Sequence, residues 1–125
     1  MKPLVIRGKV WRVVRVSPGD PFLIDRTGSP KLATTDSRTK TIRISSLVMP
    51  PVFDKIYIHE AAHAAMHESG LTDLLSGEIS RIFIEEMLAW FLEQHGIEVL
   101  NAVSDSLGRP ACVDNICLRS GNGNH

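Results

Sequence analysis

The sequence predicts an α+β domain in which a short, mostly antiparallel sheet from the first third of the chain packs on two long helices from the rest. Three observations point to it. β-branched and aromatic residues cluster in short runs that end in turn-forming residues, and all of these runs precede Met49-Pro50-Pro51. Beyond that point the apolar residues recur with helical spacing. The chain has 125 residues with 43% hydrophobic content, enough for one core and too little for a second.

The elements follow in order. Over residues 5 to 16, Val10, Arg12 and Val14 alternate with Trp11 and Val13, which reads as a first strand stopped by Ser17-Pro18-Gly19-Asp20. Phe22-Leu23-Ile24 is a short strand or a packed loop. Leu32-Ala33-Thr34-Thr35 and Thr41-Ile42-Arg43-Ile44-Ser45 flank a polar segment and read as a hairpin. Pro50-Pro51 then opens a helix over residues 52 to 67, because proline is tolerated in a first turn and not deeper; Gly70 suits its C-terminal cap. Residues 71 to 75 form a turn or short helix. A second long helix is expected over 78 to 95 with Gly96 as its cap, and 97 to 107 add a further helical turn or two. Residues 1–107 thus make a single domain, and the Gly- and Asn-rich residues 108–125 a partly ordered tail.

Charge narrows the function. Lysine plus arginine equal aspartate plus glutamate at 14 each, so no basic excess marks a nucleic-acid binder. Arg7, Lys9, Arg12 and Arg15 on the first strand read as a solvated face, and no nucleic-acid partner is expected. No apolar run approaches the roughly 18 residues of a membrane span, and the first residues lack a signal-peptide core. The expectation is a soluble, cytoplasmic protein without a membrane partner. Cys112 and Cys117 have no second pair with which to hold zinc, and without a signal peptide they are expected as reduced thiols.

His59-Glu60-Ala61-Ala62-His63 carries the chemistry. On a helix of 3.6 residues per turn, His59 and His63 share one face, and both imidazoles can reach one Zn²⁺ at about 2.0–2.1 Å. Glu60 sits one residue round, beside the metal, placed to act as general base on its water. The other reading of such spacing is a surface helix with two solvated imidazoles. Alanines 61, 62, 64 and 65 favour a closely packed helix, in which buried polar side chains need a partner such as a metal.

Two histidines leave a site open, so a third protein ligand is expected on the second long helix. Its glutamates are Glu78, Glu85, Glu86 and Glu93. Helical phase puts Ile79, Ile82, Phe83, Glu86 and Trp90 in one apolar stripe. A carboxylate facing a core is costly unless paired or ligating, which singles out Glu86, with Glu85 in reserve. His67 repeats the four-residue step but lies about 12 Å along the axis from His59, too far to share one ion.

The run His59-Glu60-Ala61-Ala62-His63-Ala64-Ala65-Met66-His67 is similar to the HExxHxxxH helix of ImmA/IrrE-like metallopeptidases, and Glu86-Met87-Leu88-Ala89 matches the ExxA element of their next helix. Residues 32 to 95 also resemble the small zincin-like domains of phages and prophages. The resemblance implies a zincin-like fold and a zinc metallopeptidase with His59, His63 and Glu86 as ligands, Glu60 as general base and a protein or peptide as substrate. The substrate would add as a strand along residues 41 to 45. No helix-turn-helix segment accompanies the domain, and the cysteine-bearing tail has no counterpart, so no particular substrate is implied. The alternative is a non-catalytic zinc-bearing interaction module with the same ligands. Oligomeric state is not legible.

Overall fold

Residues 5 to 16, expected as one strand, are a hairpin. The computed structural model describes residues 1–25, 27–74, 81–113 and 116–117, without the side chains of residues 81, 82, 85, 93 and 116. Arg7 and Gly8 have φ of 50° and 76°, the two left-handed residues of a type I′ turn, which glycine adopts freely. The turn separates β1 (Leu4–Ile6) from β2 (Lys9–Val16) and puts Leu4 opposite Trp11. Leu4, Ile6 and Trp11 are fully buried, while Val5 and Val10 point to solvent, the alternation expected of a sheet with one covered face.

After β2 the chain turns at Ser17 to Asp20. Within Phe22-Leu23-Ile24 only Ile24 has strand-like pairing, an isolated antiparallel bridge to Pro30; Pro21–Leu23 is a single 3-10 turn, capped where the Asp20 carboxylate accepts the Phe22 N–H at 2.9 Å, and it buries Leu23. The expected hairpin follows as β3 (Ala33–Asp36) and β4 (Thr41–Ser45), antiparallel. Among the described residues the main sheet has strand order β1-β2-β4-β3, and its central pair, β2 with β4, is parallel. The sheet is therefore mixed; its outer pairs are antiparallel as expected and its middle is not. Thr41, Ile42, Ile44 and Ser45 are all buried, which suits β4 to an interior place and leaves β3 at the edge. On this side of the sheet the strand open to a further partner is β3, and residues 41 to 45 are interior, not an edge as expected.

Helix α1 (Phe53–Glu68) lies within one residue of its expected bounds. It packs Phe53, Tyr57, Ala61, Ala64 and Ala65 into one core with Trp11, Ile42 and Ile44. The alanines bring its backbone close to the sheet. Gly70, at φ 81°, ends it, donating its N–H to the His67 carbonyl at 3.1 Å. The short α2 (Leu71–Leu74) follows.

Helix α3 (Arg81–Leu107) runs straight through Gly96. The cap is Gly108, at φ 75°, whose N–H reaches the Ser104 carbonyl at 2.9 Å. A glycine inside a helix costs about 1 kcal/mol. Burial of Phe91, His95, Val99 and Val103, one every four residues, carries the helix past it. The Tyr57 hydroxyl donates to Ser106 Oγ at 2.6 Å, and that serine donates to the Lys2 carbonyl at 2.6 Å, joining α1, α3 and the start of the chain. Burial pushes the Tyr57 phenol up to about 12.

Part of the tail docks on the body. Arg109 grips Asp54, in the first turn of α1, at 2.7 and 2.8 Å, the Cys112 N–H donates to the same carboxylate at 2.8 Å, and Ala111 is buried. Cys112 and Cys117 are not free thiols. They face one another in the two-stranded ribbon β5 (Cys112–Val113) and β6 (Ile116–Cys117) and are joined by a disulfide. Residues 118 to 125 lie outside the described residues. The Arg109 guanidinium, which outweighs the opposing effect of burial, holds the Asp54 carboxyl below its usual range. Asp54→Ala is expected to cost about 2 kcal/mol in urea unfolding at neutral pH. A carboxylate with a depressed folded pKa stabilises above its unfolded value, near 3.8, and that stability is lost as pH falls through the folded value. The gap between wild type and variant should therefore narrow below pH 3.8; a gap independent of pH would remove the ion pair as its source.

Candidate metal centre

His59 and His63 stand one turn apart on the exposed side of α1, with ring centroids 4.9 Å apart and planes at 72°. Their Nε2 atoms are 3.3 Å from one another. Two nitrogens held about 2.0–2.1 Å from one tetrahedral ion lie about 3.3–3.4 Å apart. The two imidazoles thus fit adjacent corners of a zinc site.

Glu60 differs from both histidines in being buried, 8% exposed. Helical phase turns it toward β3, where the Thr35 hydroxyl donates to Glu60 Oε1 at 2.7 Å and also lies 3.2 Å from the Glu60 carbonyl oxygen. Thr35 is the residue that sequence reasoning missed. Strand alternation puts it on the face of Ala33, toward α1, but nothing in the sequence says which helical residue it meets.

These groups wall an open cleft of about 610 Å³ between α1 and the β3 edge, with His59, Glu60, His63 and His67 on the helix side and Thr34 and Thr35 on the strand side. His67 meets the Trp11 ring edge-on at 6.2 Å. Beside it, Glu68 accepts the Trp11 indole N–H at 2.9 Å and pairs with Lys40. Burial raises the Glu68 pKa, but these two partners outweigh it and hold the carboxyl below its usual range. His67 therefore belongs to the cleft wall and to the packing at the end of α1.

Glu86 is exposed, and it does not line the cleft. Of the stripe expected to face the core, Phe83 and Trp90 are 38% and 37% exposed, Ile79 lies outside the described residues, and the Ile82 side chain is not described. The buried face is one residue further round, through Phe91, His95, Val99 and Val103. The reason is the continuation of α3 past Gly96. Its second half is anchored in the core and sets the phase of the first. The burial argument that preferred Glu86 to Glu85 therefore does not hold, and the Glu85 side chain is not described. Among the described residues, no three His, Cys, Asp or Glu side chains gather as a metal would need.

The described residues thus define a small α+β domain whose first long helix carries an HExxH segment on the wall of an open cleft. Comparison with protein-family models, with curated proteins and with solved structures finds no match. Among the described residues, no helix is long and apolar enough to cross a membrane.

Proposed function

We propose that this protein is a zincin-like, zinc-dependent metallopeptidase. The observation that carries the reading is the 3.3 Å approach of two imidazole nitrogens, beside a glutamate gripped by the neighbouring edge strand. His59 and His63 are two of the ligands. A carboxylate from α3 is the third, with Glu86 preferred on its Glu86-Met87-Leu88-Ala89 context and Glu85 the alternative. Zinc held there would supply Lewis-acid polarisation of a carbonyl and would lower the pKa of a bound water toward about 7.

The chain's own residues do the rest. Glu60 takes the proton of the attacking water and returns it to the leaving amine. Thr35 fixes the carboxylate that does so. The outer edge of β3 offers backbone donors and acceptors to an extended peptide, which brings a scissile bond past His59 and His63.

Metal analysis together with digestion of a random-sequence peptide mixture tests the reading. The purified protein should carry zinc, lose it in His59→Ala and His63→Ala, and cleave peptides in a way that a chelator stops and added zinc restores. Glu86→Ala should lower zinc content more than Glu85→Ala; the opposite order moves the ligand to Glu85. Zinc-loaded protein that cleaves nothing in the mixture would refute the peptidase.

A further inference from the structure

The helical stripe that carries His59 and His63 continues backward through Ile56 to Val52. There the chain leaving β4 brings Leu47 and Met49 alongside, and Leu32 approaches from the strand side. Together they line a hollow of about 380 Å³ whose every lining residue is apolar: Leu32, Leu47, Val48, Met49, Pro50, Val52 and Ile56. Leu47 is 68% exposed, Met49 62% and Leu32 53%. Single exposed apolar residues need no explanation, but four converging on one hollow, Val52 included, mark a binding surface. The hollow adjoins the cleft, since Leu32 and Ile56 line both.

We propose that this hollow is a specificity subsite that receives an apolar side chain, of the leucine, methionine or phenylalanine kind, from a peptide whose backbone crosses the two imidazoles. The proposal rests on the metallopeptidase reading and adds the substrate class to it. A rise of 1.5 Å per residue puts Ile56 and Val52 about 4.5 and 10 Å along the axis from His59. An extended chain advances about 3.3 Å per residue, so the selected side chain stands one to three residues from the cleaved bond. Nothing charged lines the hollow, so a charged side chain there would lose its water without gaining a partner. Met49 has the flexibility to fit side chains of differing shape.

The test separates binding from cleavage. Zinc-loaded Glu60→Gln protein is exposed to a random-sequence peptide mixture and the retained peptides are sequenced. They should be enriched in leucine, methionine or phenylalanine at one position. Leu47→Glu with Met49→Glu, both at exposed sites, should weaken retention at least about tenfold while leaving zinc content unchanged. Retention without that preference, retention unaffected by the double substitution, or no retention at all would overturn the subsite. So would a double variant that turns a dimer into a monomer and leaves peptide selection alone, which would make the hollow a contact between copies. Wild-type protein that fails to cut the retained peptides would refute hydrolysis and leave the subsite standing; cutting with no apolar preference would do the reverse.

Discussion

Glu60→Gln should lower peptide hydrolysis by about 10²–10⁴-fold, the usual contribution of a positioned general base, with zinc content unchanged. The substitution keeps the shape of the side chain and an oxygen that can accept the Thr35 hydroxyl, now 2.7 Å from Glu60 Oε1. It removes only the ability to take a proton. His59 and His63 line the same cleft, but the Thr35 hydroxyl is hydrogen-bonded to Glu60, so the substitution leaves the two imidazoles as they stand. Hydrolysis at the wild-type rate in Glu60→Gln would assign proton transfer to another group. Loss of zinc along with activity would instead make Glu60 a ligand or a structural support.

Trp11→Ala should destabilise the fold by about 3–5 kcal/mol, read as a lowered urea midpoint with the slope unchanged. Trp11 is fully buried at the point where β2 passes under the end of α1. Besides filling that space, its indole N–H satisfies Glu68, Lys40 lies 5.3 Å from its ring centre, and His67 packs on its edge. Alanine would leave a cavity and deprive a mostly buried carboxylate of one of its two partners. A cost under about 1 kcal/mol would mean that the core closes over the gap, and that α1 is fixed by its other contacts.

The motif and the helix that carries it were legible because their signals are local. Pro50-Pro51, Gly70 and the run of alanines bound α1 without help from the rest of the molecule. The hairpin of β3 and β4 was legible for the same reason. The Arg7-Gly8 turn is also local, and its signal, a glycine inside a β-rich run, was there to be read. Four features were not local. The parallel pairing of β2 with β4 depends on which strand the core buries most completely. Gly96 has the look of a cap, and only the packing of Val99 and Val103 further along decides against it. That same packing turned Glu86 outward, so an error about where a helix ends became an error about which way its side chains face. Thr35 meets Glu60 across 25 residues, and the disulfide forms because a ribbon sets Cys112 against Cys117. Neither contact is written in the spacing of the residues that make it.

The edge strand beside the cleft is only four residues long, Ala33–Asp36. A polypeptide paired to it would be gripped over about 13 Å, too short a purchase to pull a segment out of a stable domain, whose unfolding costs about 5–15 kcal/mol. On the metallopeptidase reading proposed above, the targets would be stretches that are already extended and accessible in their own protein, such as interdomain linkers, chain ends and surface loops. A partner's local looseness, as much as its side chains, would decide whether it is cut.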